Sequence, residues 1–157
     1  MLCTDMGREN MSSLHGNIVV LGRMGVLIVG PSGSGKTQLS RLLIKRWKAR
    51  GFYACWVADD RFLIQSAGEL VMAKPPAVLQ GRAELRGYGI EDIEFQNRAI
   101  LDQVVRLVPE KEIERMPMDR DYKPAPDFPV LPMMLAPCNE PNHAADLVEA
   151  QMRKIAV

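Results

Sequence analysis

The segment GPSGSGKT contains the residue types that bind a polyphosphate, and it fits the pattern G-x-x-x-x-G-K-[ST]. Its three glycines remove side chains where a helix would begin, so a phosphate can approach the backbone N–H groups closely. In this motif the lysine, Lys36, reaches the β and γ oxygens, and the hydroxyl of Thr37 ligates Mg²⁺. The alternative is a glycine-rich turn with a lysine by chance. The predicted phosphate-binding residues are Gly30, Pro31, Ser32, Gly33, Ser34, Gly35, Lys36 and Thr37.

Two adjacent acids, Asp59 and Asp60, follow an apolar stretch in WVADD. On a regular strand only one of them would face the phosphates, but at a strand end the backbone can turn and present both. One carboxylate near Mg²⁺ and another that accepts a proton from a hydroxyl group would suit phosphoryl transfer. The alternative is a solvated turn or a helix cap.

The segment AELRGYGIEDI places Glu84 two residues before Arg86. In an extended segment both side chains would point the same way. They could then serve as a metal ligand beside a group that binds phosphate. The alternative is a surface ion pair that contributes about 0 to 1 kcal/mol. His15, in SSLHG, could orient a carboxylate, or it could be an ordinary turn or surface group. A capping or surface role is the default for His143.

Short β-type runs on both sides of the glycine-rich segment must position these residues. The turn GRMG between NIVVL and VLIV predicts a hairpin, and FYACWVA, RFLIQ, ELVMA and VVRLV predict further strands. An antiparallel pair next to the phosphate-binding loop favours a mixed sheet over a purely parallel one. Apolar residues at helical spacing between Lys36 and Arg50 predict a helix that Gly51 ends.

The two ends of the chain differ from this body. Residues 1–11 are polar and aperiodic, which predicts a disordered extension. Seven of the eleven prolines lie between Pro117 and Pro141, a density that predicts a proline-rich tail over 116–141 without long helices or central strands. Asn142 is the expected N-cap of a closing helix over 142–157. Its predicted apolar face comprises Ala145, Val148, Met152 and Ile155.

Length and composition narrow the function classes. A chain of 157 residues predicts one domain, and 20 basic against 19 acidic residues predict no large positive field for nucleic acid or an anionic membrane. No apolar segment approaches the roughly 20 residues that span a bilayer, and the polar N-terminus is not a signal peptide. Three isolated cysteines suit a reducing compartment, so we expect a cytoplasmic protein.

The ordered set SLHG, GVLIVGPSGSGKTQL, VADDRF and KPPAVLQGRAELRGYGI resembles the catalytic domain of HPr kinase/phosphorylase, a bacterial family that acts on a serine of the phosphocarrier protein HPr. The resemblance runs from Ser12 to Pro109 and is not recognisable in the proline-rich part. Longer family members have a separate N-terminal domain for which this chain has no room. The resemblance is therefore to the short, single-domain type described for α-proteobacteria.

The resemblance implies an α/β fold similar to that of phosphoenolpyruvate carboxykinase, with a mixed sheet around the P-loop and a kinase catalytic domain over 12–115. It implies ATP and Mg²⁺ as cofactors, with Glu84 helping Thr37 to hold the metal and Arg86 near the phosphate. It assigns proton transfer from the serine hydroxyl to Asp60, with His15 close by. Asp59 would lie nearer the metal, although the two aspartate roles could be exchanged.

The resemblance also implies two reactions: transfer from ATP to serine, and the reverse attack of inorganic phosphate on phosphoserine, which releases pyrophosphate. The implied partners are an HPr-like carrier and further copies of the chain, as a homo-oligomer of the hexameric type. Two other functions stay open at this point. One is a kinase for a small metabolite, and the other is a nucleotide-binding regulatory module without turnover.

Overall fold

The computed structural model describes residues 12–116 and 118–155. The predicted disordered extension over 1–11 lies outside the described residues. The strands are β1 (Ser12–His15), β2 (Asn17–Leu21), β3 (Met24–Val29), β4 (Ala54–Ala58), β5 (Arg61–Ala67), β6 (Leu70–Lys74), β7 (Arg82–Leu85), β8 (Gly89–Asp92), β9 (Ala99–Val108), β10 (Arg120–Tyr122) and β11 (Leu131–Pro137). The helices are α1 (Lys36–Ala49) and α2 (Pro141–Ile155).

Nine of these strands form one mixed sheet in the order β1-β5-β6-β9-β3-β2-β4, with β11 also beside β9 and β10 beyond it. Strand β9 runs parallel to β3 and to β11, whereas the other neighbours in this sheet are antiparallel. The predicted hairpin is confirmed: Leu21 pairs with Met24 across a two-residue turn. The prediction of a mixed sheet is therefore confirmed as well.

The two faces of the sheet bury different side chains because neighbouring residues on a strand point to opposite faces. Val19 and Leu21 of β2 pack in one cluster with the apolar sides of α1 and α2. Ile18 and Val20 pack in a second cluster, which side chains of β5, β6 and the segment around Phe128 join. The helices thus cover one face, and the curled sheet closes over the other.

The pairing of β3 with β9 contains a bulge that glycine makes possible. Gly25 pairs with Leu101 and Val26 with Gln103, so Asp102 is skipped in the register. Its carboxylate accepts the N–H of Gly25 at 2.9 Å. A Cβ atom at Gly25 would lie 1.9 Å from the carbonyl oxygen of Ile100, so only glycine fits here.

The proline-rich segment does not behave as predicted. Strand β11 lies between β9 and β10, with Met133 to Pro137 parallel to Val104 to Val108, so the expectation that prolines exclude an internal strand is wrong. The physical reason is position: Pro132 and Pro137 are the second and last residues of β11. The N–H groups between them remain available to the ladder.

Helix α2 begins at Pro141, one residue before the predicted N-cap Asn142. Proline suits the first helical turn, where its missing N–H would have no partner. Of the predicted apolar face, Ala145, Val148 and Met152 are buried, whereas Ile155 is exposed. His143 is exposed as well, 4.0 Å from Glu110. Helix α1 ends at Ala49, close to the predicted end.

Candidate active site

The phosphate-binding loop connects β3 to α1 and leaves the start of the helix open. Gly33 (φ 77°) and Gly35 (φ 94°) adopt left-handed backbone conformations that suit glycine. Gly35 is the N-cap residue and offers no side chain, and the first turn of α1 carries no acidic residue. The first N–H groups of the helix have no intrahelical acceptor. The loop can therefore receive an anion at the positive end of the helix dipole.

The interior of the loop is tight and polar. A Cβ atom at Gly30 would lie 2.7 Å from the hydroxyl oxygen of Ser34. That hydroxyl is buried and has no hydrogen-bond partner among the residues that the structure describes. Lys36 folds back over the loop, and its ammonium donates to the carbonyl oxygens of Gly30 (3.0 Å) and Pro31 (3.2 Å). These contacts leave the backbone N–H groups at the start of α1 as the donors that could bind a phosphate.

The Asp59 carboxylate joins three segments at the side of this loop. Its Oδ1 accepts the Thr37 hydroxyl and the Asn17 side-chain amide, each at 2.8 Å, and its Oδ2 accepts the backbone N–H of Glu84 at 2.9 Å. Strand β4 ends at Ala58, so Asp59 lies at the end of a strand, as WVADD predicts. The structure brings Asp59 and Thr37 together.

Asn17 also belongs to this site, although no sequence motif predicts it. Its side chain is buried, and its Nδ2 also lies 3.3 Å from the Thr37 hydroxyl and 3.4 Å from that of Ser40. Its Oδ1 accepts the backbone N–H of Asp60 at 2.9 Å. The available signal was a polar amide at the head of the apolar run NIVVL, directly after SLHG.

Asp60 turns away from its neighbour. Its backbone is left-handed (φ 70°), and its side chain is exposed. The N–H of Gly16 donates to the Asp60 carbonyl at 2.9 Å, and His15 pairs with Arg61 in the β1–β5 ladder. The backbone therefore places His15 beside Asp60 at the junction of two strands. In the described part of the chain, neither of these two side chains makes a hydrogen bond or an ion pair.

Glu84 and Arg86 do not share one extended surface. Strand β7 ends at Leu85, and Arg86 lies in the tight turn to β8, which the N–H of Tyr88 closes on the carbonyl of Leu85 at 2.9 Å. The alternation expected of the two side chains therefore does not apply. Glu84 reaches the site through its backbone N–H to Asp59, while its side chain is exposed.

The residues present fit a magnesium–nucleotide complex. The Thr37 hydroxyl and the Asp59 carboxylate supply hard oxygen donors 2.8 Å apart. Within residues 12–116 and 118–155, no group of three or more His, Cys, Asp or Glu side chains could hold a metal ion. Mg²⁺ is usually held by one or two carboxylates together with substrate phosphates, so this site does not need a cage made of protein alone.

A cleft of about 460 Å³ borders the loop at Gly30 and Pro31. We call it the His15 cleft. It is lined by His15, Val29, Gly30, Pro31, Arg106, Leu107, Val108, Pro109 and Tyr122. Because it includes the two residues whose carbonyls hold the Lys36 ammonium, the cleft begins where the motif places the terminal phosphate.

A family model described as the HPr serine kinase C-terminal domain matches residues 9–157. The chain belongs to this family. The match continues to the C-terminus, so the expectation that the resemblance ends near Pro109 is wrong. The proline-rich segment and α2 belong to the HPr serine kinase C-terminal domain.

Named relatives agree with this assignment. An HPr kinase/phosphorylase of Cupriavidus metallidurans is 34% identical over 151 residues, covering 90% of this chain and 45% of the relative. One of Enterococcus faecalis is 41% identical over 83 residues, covering 52% of this chain and 25% of the relative. The chain thus spans less than half of the length of these two relatives.

A solved structure shares the mixed α/β fold with its curled sheet. The Hpr(Ser) kinase/phosphatase from Coxiella burnetii superposes with a TM-score of 0.75 at 25% identity, covering 93% of this chain and 99% of that one. Neither helix of the described residues has both the length and the apolarity to cross a membrane.

Proposed function

We propose that this chain is an ATP-dependent kinase that phosphorylates a serine of HPr or an HPr-like phosphocarrier protein. The observation that carries the proposal is the convergence of the Thr37 hydroxyl and the Glu84 N–H on the Asp59 carboxylate beside an open P-loop. The names of the relatives and of the similar solved structure support the choice of acceptor.

The phosphate donor binds through the backbone of the loop. The open N–H groups at the start of α1 hold the phosphates, and the Lys36 ammonium moves from its carbonyl acceptors to the β and γ oxygens. Thr37 and Asp59 hold Mg²⁺, and Glu84 adds its exposed carboxylate. When bound, Mg²⁺ neutralises charge on the phosphates. Arg86, in the turn after Glu84, contacts the phosphate from outside.

In the forward reaction the serine hydroxyl oxygen attacks the γ-phosphorus. The bond from this phosphorus to the bridging oxygen breaks, and ADP leaves with the electron pair. Asp60, with His15 beside it, accepts the proton of the serine hydroxyl, because Asp59 is already occupied by three donors whereas Asp60 is exposed. In reverse, inorganic phosphate attacks phosphoserine, Asp60 returns the proton to the serine oxygen, and pyrophosphate is released.

Several finer features belong to the same proposal. The P-loop and its sheet follow the arrangement of phosphoenolpyruvate carboxykinase. Residues 12–115 carry the catalytic groups. Strands β10 and β11 complete the sheet, and α2 packs with α1 on one face of it. The enzyme is cytoplasmic, and it assembles as a homo-oligomer of the hexameric type.

Transfer of labelled phosphate from ATP to purified HPr tests the proposal. We expect transfer by the parent and a loss of about 10²-fold or more in Asp60→Asn, the range for removal of a general base. Asparagine tolerates the left-handed backbone at this position, so the fold should be kept. The control is Glu69→Gln, which makes the same change of charge in the exposed turn between β5 and β6.

Two results would contradict the proposal. Binding of ATP by the parent without any transfer would indicate a nucleotide-binding regulatory module. Transfer to small acceptors alone would indicate a metabolite kinase. Calorimetric titration of Asp60→Asn with ATP should give parent-like affinity, which shows that the variant fails at transfer and not at binding.

A further inference from the structure

Arg106 is an exposed cation at the edge of the P-loop. It lies near the end of β9 and pairs in parallel register with Val29, the last residue before the loop. Among the residues that the structure describes, Arg106 forms no salt bridge with a carboxylate. In parallel strands this end of the sheet is where ligands bind.

Tyr122 holds the guanidinium in place. The Arg106 guanidinium carbon lies 5.7 Å from the centroid of the Tyr122 ring, which is a cation–π contact. Tyr122 is half-buried and packs against the second core cluster, which restricts the movement of its ring. Burial raises the pKa of the Tyr122 hydroxyl despite the nearby Arg106, so the phenol stays neutral and does not neutralise the cation. Among the described residues the Arg106 guanidinium forms no hydrogen bond or salt bridge, so its donors are available to an anion.

The His15 cleft connects Arg106 to the position of the transferred phosphoryl group. Arg106, Tyr122 and His15 line the same cleft as Gly30 and Pro31. The carbonyl groups of those two loop residues hold the Lys36 ammonium. The cleft also includes the histidine that stands beside Asp60, so an acceptor side chain placed between these groups could be reached from the phosphate end of the loop.

We propose that Arg106, supported by Tyr122, binds the phosphate-monoester dianion of the phosphorylated serine in the His15 cleft. The inference rests on the proposed function and adds a binding residue on the acceptor side. Guanidinium groups form paired hydrogen bonds with phosphate oxygens, and a serine hydroxyl carries no charge to attract them. Arg106 should thus favour the phosphorylated carrier over the unphosphorylated one.

Equilibrium binding to phosphoserine-containing HPr is the direct test. In Arg106→Gln we expect affinity for the phosphorylated carrier to fall by about tenfold or more, as for loss of a hydrogen-bonded charge. Affinity for unphosphorylated HPr and for ATP should stay at the parent values. Arg106→Lys should be intermediate because it keeps the charge without the paired donors, and Tyr122→Leu should weaken binding in the same direction.

The matched control is Arg98→Gln, an exposed arginine just before the opposite end of β9 that also makes no salt bridge among the described residues. Its binding constants should match the parent. Thermal unfolding should show that Arg106→Gln and Arg98→Gln fold as the parent does, since neither change removes an ion pair.

A second titration uses inorganic phosphate with ADP and Mg²⁺ already bound, so that the same cleft is tested without HPr. Weaker phosphate binding in Arg106→Gln supports the site even if the parent fails to phosphorylate HPr, a failure that would contradict the proposed function alone. Unchanged affinity for both phosphate and phosphorylated HPr would overturn the inference. Loss of phosphate affinity with unchanged binding of phosphorylated HPr would overturn its assignment to phosphoserine.

Discussion

The Asn17 side-chain amide donates to the Asp59 carboxylate at 2.8 Å while its own oxygen accepts the N–H of Asp60 at 2.9 Å. One buried side chain at the head of β2 therefore fixes both the carboxylate of the first aspartate and the backbone of the second. The two acids receive different surroundings as a result. Asp59 faces Thr37 inside the site, and Asp60 stands exposed beside His15.

Replacing Asn17 with alanine should destabilise the fold and impair transfer together. The change leaves a buried cavity and removes a donor to Asp59 and an acceptor for the N–H of Asp60, for which we expect a loss of about 1 to 3 kcal/mol in the free energy of unfolding. Urea unfolding and phosphate transfer to HPr are the measurements. Asn97→Ala, at an exposed position, is the control. A variant with parent-like stability and transfer would show that Asn17 does not organise the site.

Replacing Thr37 with valine should reduce the effect of Mg²⁺ on the affinity for ATP. Valine keeps the shape but removes the hydroxyl that lies 2.8 Å from Asp59. We expect the gain in ATP affinity on adding Mg²⁺ to fall by about tenfold, or about 1.4 kcal/mol, while affinity without Mg²⁺ changes little. Calorimetric titration with and without Mg²⁺ measures both values.

Thr37→Ser is the matched control for this prediction because it restores the hydroxyl. It should keep most of the magnesium effect. If the valine and serine variants respond equally to Mg²⁺, the hydroxyl is not a metal ligand.

Two glycine substitutions should differ in cost because their surroundings differ. A Cβ atom at Gly25 would overlap the carbonyl of Ile100 in the β3–β9 bulge, so Gly25→Ala should cost about 3 kcal/mol or more. Gly33 has open space around it but a left-handed backbone, so Gly33→Ala should cost about 1 to 2 kcal/mol. Urea unfolding of both variants gives the comparison, and equal costs would count against the bulge geometry.

The pH dependence of stability should report on Asp102. Burial raises the pKa of its carboxyl above the ordinary value of 3.8, although the Gly25 N–H opposes this shift. Between 3.8 and the raised value, the native state binds more protons than the unfolded state, so the free energy of unfolding falls as pH rises through this window. At neutral pH the cost of the buried charge is fully present.

Asp102→Asn should remove that cost while its amide oxygen still accepts the Gly25 N–H. The stability of the variant relative to the parent should therefore increase from acidic to neutral pH. Urea unfolding at a series of pH values measures it. A stability difference that does not vary with pH would contradict the prediction.

Most of the central sheet could be predicted from local patterns. The runs around the P-loop contain enough consecutive apolar residues to indicate strands, and the turn at Gly22 and Arg23 is short enough to specify a hairpin. Strand β11 could not be predicted in this way. Its prolines argued against a strand, and only the pairing with β10 and β9 shows that they lie near the two ends of the strand, where the ladder does not need their N–H groups.

Only those parts of the candidate site that lie within one sequence motif could be predicted. The P-loop and the pair of acids stand out because their residue types and spacing predict phosphate and metal binding. The different surroundings of Asp59 and Asp60 depend on Asn17, which is distant in sequence and carries no motif. Likewise, the sequence suggested that Glu84 and Arg86 lie on one face of an extended segment, but strand β7 ends at Leu85 and Arg86 lies in the turn after it.

The sequence by itself determined the glycine-rich loop and the helix that follows it, and so predicted a phosphate site, since glycine spacing and helical periodicity are local properties of the chain. The tertiary structure decided which groups meet at that loop. Asn17 lies in β2, Asp59 follows β4, and Glu84 lies in β7. Arg106 and Tyr122 come together with His15 only because β9, β10 and β1 approach one cleft. Contacts between distant segments depend on sheet order and register, and no local pattern records these.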